Sequence, residues 1–307
     1  MSLTLLMGGT ASAQFQSDAT GGTGAGETRT VRWQAGVVVQ AGGEPCRGLI
    51  ASIPVPIDWP EQQVRVVEED VSSTATIGYR MVDGTVRQML VRIPLLPANE
   101  EARAVVTFEI QRSTLLPPSE TSQFRIPESR DLDSQLRIYL GTSPLIESRD
   151  ARIRALAREI GADAATAWER VEAIYDWVRE NVEYKNGPIK GALAALRDGT
   201  GDCEEMTSLF IAICRAAGIP ARSVWVPGHT YPEFYLVDDQ GEGHWFPCQA
   251  AGSREFGGIT ELRPVLQKGD NFRPPHNPRD RQRYLAEHLT GTGGQPRVRF
   301  IRELIDN

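Results

Sequence analysis

The chain has 307 residues, 40% of them hydrophobic and 24% charged, with 33 basic against 40 acidic side chains and a net charge of −7. That length makes one large domain or two ordinary ones with a sizeable core, and it excludes a disordered chain or a disulfide miniprotein. No Lys/Arg cluster stands out, which argues against nucleic acid as a partner, and no apolar run reaches the ~18 residues of an integral membrane helix.

At the amino end, Leu3-Thr4-Leu5-Leu6-Met7 is followed by Ala11-Ser12-Ala13, a small-x-small pattern before Gln14. This reads as the tail of a secretory signal without its basic start, since the first positive side chain is Arg29. Residues 14–28, rich in Gly, Ser, Thr and Ala, read as a linker, so 1–29 form a signal remnant and linker. The expected location is outside the cytoplasm, periplasmic or extracellular.

From 30 to 126 the texture is strand-like. Val37-Val38-Val39, Leu49 to Ile53, Val64 to Val67, Gln88 to Ile93 and Ala104 to Ile110 are short β-rich runs separated by turn residues. Asp83-Gly84 marks a hairpin. Regular short strands without helical period predict an antiparallel β-sandwich. Cys46 reads as a lone loop thiol. Residues 127–150 form a connector, preceded by Thr114-Leu115-Leu116-Pro117-Pro118, which should be extended.

After 150 the period changes to that of helices. Ile153, Leu156, Ala157 and Ile160 fit one helix that stops at Gly161, and Asp163 is placed to cap a second with Trp168, Val171, Tyr175, Val178 and Val182 on its buried face. In the third, Met206, Leu209, Phe210, Ile213, Cys214 and Ala217 follow helical spacing, with Gly218 and Pro220 as stops. Cys214 is a core residue of that helix. Cys203 sits at its first turn, after the tight Gly199-Thr200-Gly201 loop, where free amide N–H groups favour a thiolate and can hold an oxyanion. Glu204 and Glu205 oppose the thiolate. Strands follow at Ser223–Val226, Glu233–Val237 and Trp245–Gln249, with His229 between the first two. The predicted class is α+β, with a core over 151–265 and a carboxyl-terminal extension, 266–307, packing on that core. Val298-Arg299-Phe300-Ile301 alternates as one last strand.

Of the four histidines, His244 reads as a surface residue at a strand start, and His276 and His288 as solvent-exposed. Asp238-Asp239 reads as a solvated turn. The four cysteines include no CxxC pair, so no metal site is assigned.

Taken together, the segment resembles the transglutaminase-like core of the papain-like thiol superfamily. That pattern is a G-x-C helix start, then G-I-P-A-R, then H-A-W-x-E, then Trp with Asp four residues on. Here it becomes Gly201-Asp202-Cys203, Gly218-Ile219-Pro220-Ala221-Arg222, His229-Thr230-Tyr231-Pro232-Glu233, and Trp245 with Gln249. Tyr184 and Gly191-Ala192-Leu193 match the lead-in. The resemblance implies a thiol mechanism without cofactor or metal: Cys203 as nucleophile, His229 as base, and Gln249 at the position that is usually Asp. A Gln carbonyl accepts from the imidazole but brings no negative charge. Trp225, Tyr231 and Trp245 are the expected substrate-binding aromatics. The expected partner is a protein or peptide substrate, with the cell envelope as the source that export would suggest. The competing expectation is a non-catalytic scaffold that keeps the fold.

Overall fold

The computed structural model describes residues 23–305. The signal-like residues lie outside them. The chain begins with six antiparallel strands: β1 (Gly24–Gln40), β2 (Cys46–Val55), β3 (Gln62–Val71), β4 (Thr76–Val82), β5 (Val86–Leu96) and β6 (Glu101–Leu116). They form two facing sheets. Trp33, Ala35, Val37 and Val39 of β1 share one face by the two-residue period and meet Ile53, Met89, Val91 and Ile93 from the opposite sheet. Asp83 and Gly84 both take positive φ (47° and 73°), as the expected hairpin demands. Cys46 opens β2 and is fully buried, its thiol donating to the Gly294 carbonyl at 3.5 Å, so it is a strand residue and not the loop thiol its isolation suggested.

Helical elements follow: the single turn α1 (Ser134–Arg137), then α2 (Ala151–Glu159), α3 (Ala167–Asn181), the short strand β7 (Glu183–Tyr184), α4 (Ala192–Asp198), β8 (Thr200–Gly201) and α5 (Cys203–Ala216). Helix α3 is capped by Thr166 in a reciprocal box with Glu169, not by Asp163. A Thr-x-x-Glu pair satisfies two orphan amides at once, which a lone Asp further upstream does not. Strands β9 (Ala221–Val226), β10 (His229–Val237), β11 (Gly243–Pro247) and β12 (Gln267–Lys268) then form a sheet in the order β11-β10-β9-β12. Helix α5 packs on β10 and β9. Phe234, Leu236 and Phe246 join Leu209, Phe210 and Ile213 in the helical core. Val224, Val226 and Tyr231 join Leu115 in a second cluster, so the sheet is buried on both faces.

Both chain ends depart from expectation. Strand β1 begins at Gly24, inside the expected linker, because Gly24 to Thr28 pair with Ser113 to Leu116 of β6 and the Thr28 and Ser113 hydroxyls bond at 2.7 Å. The carboxyl-terminal extension does not simply pack on the core. After β12 it runs on to β13 (His288–Gly293) and β14 (Arg297–Ile305), which pair with β2 and β1. The sandwich sheets are therefore β14-β1-β6-β3 and β13-β2-β5-β4. Two otherwise open strand edges acquire partners, which is why an alternating segment at the far end of the chain returns to the first domain.

A buried ion network ties the sandwich to the core. Lys268 on β12 places Nζ 2.8 Å from Glu61 Oε1 and 2.5 Å from Glu233 Oε1, and Arg222 donates to Glu233 Oε2 at 2.9 Å. Burial alone would raise the Glu61 pKa; the Lys268 and Arg112 cations more than reverse it. Replacing Lys268 removes the ion-pair partner of the buried Glu61 and leaves Glu233 to Arg222 alone. Lys268→Met is expected to lower the unfolding free energy in urea by about 3–5 kcal/mol. A loss under about 1 kcal/mol would show that the network contributes nothing to joining the two parts.

Candidate active site

The site is assembled from the amino end of α5, the start of β10 and the loop after β11. Asp202 caps α5. Its side chain accepts from the Glu204 and Glu205 amides, and the Glu205 carboxylate reaches back to the Asp202 N–H at 3.1 Å and to the Lys190 N–H at 2.9 Å. This reciprocal box needs Gly201: a Cβ there would lie 2.4 Å from Glu205 Cβ. Cys203 is the first helical residue and is partly buried.

Pro227-Gly228 links β9 to β10, with Gly228 at φ 70°, the Pro-Gly pattern of a type II turn. It delivers His229 directly opposite Val226. A contact at Thr230 fixes α5 against this strand. The Thr207 hydroxyl donates to the Thr230 carbonyl at 3.3 Å, and the Thr230 backbone N–H favours the thiolate form of Cys203. Cys203 and His229 consequently line one pocket of about 410 Å³ with Tyr184, Ala251 and Gly252.

The sequence-derived third member also arrives. Gln249 Oε1 lies 2.7 Å from His229 Nε2. A carbonyl oxygen accepts only, so this bond assigns the proton to Nε2 and leaves a lone pair on Nδ1. The electrostatics favour an uncharged pair. Burial raises the Cys203 pKa above 9.0, the Thr230 N–H opposes that in part, and the Asp202 and Glu205 carboxylates add to it. Burial lowers the His229 pKa below 6.5 against the opposing Gln249 bond, and the Arg263 guanidinium lowers it further. Both directions favour the neutral form, a thiol and an imidazole that line one pocket. Glu204 is paired with Arg283 from the carboxyl-terminal segment.

The three aromatics expected to bind substrate do not line this pocket. Trp225 is buried, donates from Nε1 to the Gly269 carbonyl at 2.9 Å, and packs against Tyr284 and Arg283. Tyr231 is fully buried, its hydroxyl accepting from Arg112 at 3.2 Å. Trp245 lies 3.9 Å under the Arg222 guanidinium and lines a different, larger cavity of about 630 Å³ that holds no thiol. For Trp225 and Tyr231, burial of a large ring with its polar group satisfied outweighs proximity to the motif. Tyr184, which is exposed, is the aromatic on the thiol pocket.

The remaining histidines also need correction. His244 is buried, with Nε2 2.8 Å from Asp238 Oδ2, while Asp238 Oδ1 accepts the Gln240 and Glu242 amides. The Asp238 turn is closed by its own carboxylate and is not simply solvated. His276 is exposed as expected, but His288 is half-buried, its ring stacked on His276 at 3.8 Å.

Residues 154–250 match the model of the transglutaminase-like superfamily. The match contains Cys203, His229 and Gln249. Among solved structures, a candidate cysteine protease from Cytophaga hutchinsonii aligns over 93% of this chain and 93% of its own, with a TM-score of 0.60 and 18% identity, a likeness of fold. The periplasmic domain of TgpA from Pseudomonas aeruginosa aligns over 76% of this chain and 73% of its own, with a TM-score of 0.37 and 17% identity. No curated protein matches the chain. No helix among the described residues is long and apolar enough to cross a membrane.

Cys46, Cys214 and Cys248 are fully buried, and burial raises the Cys214 and Cys248 pKa values far above 9.0. Titration of the native protein with a chromogenic disulfide reagent is therefore expected to find one reactive thiol, Cys203, and four after unfolding in denaturant. A second thiol reacting at the same rate in the native state would contradict this burial pattern.

Proposed function

We propose that the segment 154–250, which matches the transglutaminase-like superfamily model, works as an exported thiol acyl-transfer enzyme with Cys203 as nucleophile and His229 as base. The observation that carries this reading is the 2.7 Å bond from His229 Nε2 to Gln249 Oε1, in a ring that shares its pocket with Cys203. As the Cys203 sulfur attacks an amide carbonyl of a protein or peptide, its proton passes to His229 Nδ1. The oxyanion develops at the leading end of α5. The cap occupies the Glu204 and Glu205 amides, which leaves the Cys203 N–H as the donor at that end. Collapse breaks the C–N bond, His229 returns its proton to the departing amine, and a thioester remains on Cys203. Water attacking the thioester, with its proton taken by His229, gives hydrolysis; an amine gives a new amide. Export, and with it a cell-envelope substrate, rests on Leu3 to Met7 followed by Ala11-Ser12-Ala13.

The uncharged third residue and the raised thiol pKa support a second reading, a non-catalytic binding domain that keeps the fold. Incubation with p-nitrophenyl acetate followed by intact-mass spectrometry separates the two. The enzyme reading expects an acetyl adduct on Cys203, absent in Cys203→Ala and formed roughly 10²–10⁴-fold more slowly in His229→Ala. No adduct, or one formed equally fast without His229, leaves the binding reading.

The pH dependence has a definite sign. His229 acts as a base only when neutral, and its pKa is lowered, so the acylation rate should hold through pH 6.5 and fall only below it. An acid limb centred above 6.5 in a stopped-flow pH profile would contradict the assignment of this buried ring as the base.

A further inference from the structure

The loop that carries Gln249 has its own support, built on one face of α3. Arg179 donates to three of the loop's carbonyls, those of Gln249 at 3.1 Å, Ala250 at 3.2 Å and Gly252 at 2.8 Å. One turn earlier the Tyr175 hydroxyl donates to the Gln249 carbonyl at 2.9 Å and accepts from the Glu255 amide at 3.0 Å. From the loop's far end Arg254 bonds back to Glu172 at 2.6 Å and to Asp176 at 2.9 Å. Glu172, Tyr175, Asp176 and Arg179 stand at i, i+3, i+4 and i+7, a single stripe of the helix. Every residue of that stripe holds the segment 249–255, whose base is closed by Gln249 N–H to Glu255 O at 2.8 Å.

We propose that Arg179, with Tyr175, is a positioning residue for the catalytic pair, fixing the Gln249 backbone so that its side chain holds the His229 ring. The inference rests on the acyl-transfer reading above for its catalytic consequence. The physical reason is the missing charge. A carboxylate attracts an imidazole over a range of distances and angles, whereas a neutral amide holds it only through one directional hydrogen bond. Gln also has three side-chain torsions to fix, so its anchor must be rigid. The loop carbonyls have no ladder partner in this stretch, and the Arg179 fork supplies what a strand would. The same contacts set Ala251 and Gly252, which line the pocket together with Tyr184, Cys203 and His229.

The test compares wild type, Arg179→Met and Arg179→Lys by two readouts, with thermal unfolding as the check that each is folded. The first is the tautomer of His229 from imidazole nitrogen shifts in ¹⁵N-histidine-labelled protein, assigned by His229→Ala. Wild type should show protonated Nε2. Arg179→Met should show a mixture of tautomers, with Arg179→Lys in between. The second is the kcat–KM split and pH profile for p-nitrophenyl acetate: Arg179→Met should lower kcat by roughly ten- to a hundredfold with KM little changed. A folded Arg179→Met with the wild-type tautomer and kcat would overturn the proposal. If Arg179→Met does not fold, Arg179→Lys is judged by the same two readouts. A tautomer that shifts in a protein whose wild type forms no acyl adduct sustains the positioning role and removes the catalytic reading. A normal adduct with an unmoved tautomer does the reverse.

Discussion

The site depends on how the leading end of α5 is seated against β10. Thr230 contributes both of its backbone groups there: its carbonyl accepts from the Thr207 hydroxyl, and its N–H favours the Cys203 thiolate. Because Thr230 follows His229 in the chain, the Thr207 bond also sets where the His229 backbone lies relative to α5. The seating is possible because Gly201 has no Cβ to push Glu205 aside, so the cap closes tightly one residue before the thiol. The helix is in turn held by a core of Leu209, Phe210 and Ile213 against Phe234 and Phe246, which makes the site a consequence of packing rather than of loop conformation.

What this seating produces is an uncharged pair. The acids at the helix start satisfy backbone amides and Arg283 pairs with Glu204, while the Asp202 and Glu205 carboxylates still disfavour the thiolate. Burial then decides, pushing the thiol up and the imidazole down. With Gln249 in place of an anion, proton transfer must accompany attack, and nothing stores a thiolate beforehand. Such a site relies on geometry for what others obtain from charge, and the helix α3 stripe that grips the 249–255 loop is consistent with that demand. The wider frame serves the same end. The Lys268 network anchors β12 and β10 to the sandwich, and the returning strands β13 and β14 close the sandwich around the first strands of the chain.

Much of this was legible in the amino-acid pattern. The amphipathic spacing from Met206 to Ala217 placed α5 and put Cys203 at its start, and Asp83-Gly84 marked its hairpin. The bond from His229 to Gln249 followed from motif order, not from periodicity, since the two are twenty residues apart. What the pattern hid was long-range or reciprocal. The pairing of β14 with β1 joins segments at opposite ends of the chain, and no local signal records it. Asp202-x-x-Glu205 and Thr166-x-x-Glu169 are capping boxes that could have been read, and would have shown Glu205 turned to the backbone. Trp225 and Tyr231 turn to the core and Trp245 to a different cavity, because an aromatic beside a motif looks the same in sequence whichever way it faces. Only the partners, Gly269, Arg112 and Arg222, distinguish the two.

The most direct measurement of the central claim is the second-order rate constant for iodoacetamide alkylation of Cys203 at pH 7, read by peptide mass spectrometry, in wild type and His229→Ala. A thiol served by the neighbouring ring should react at least about tenfold faster with His229 present than without it. Equal rates in two folded proteins would mean that the imidazole does not act on the sulfur, and the chemistry proposed for this pocket would not stand.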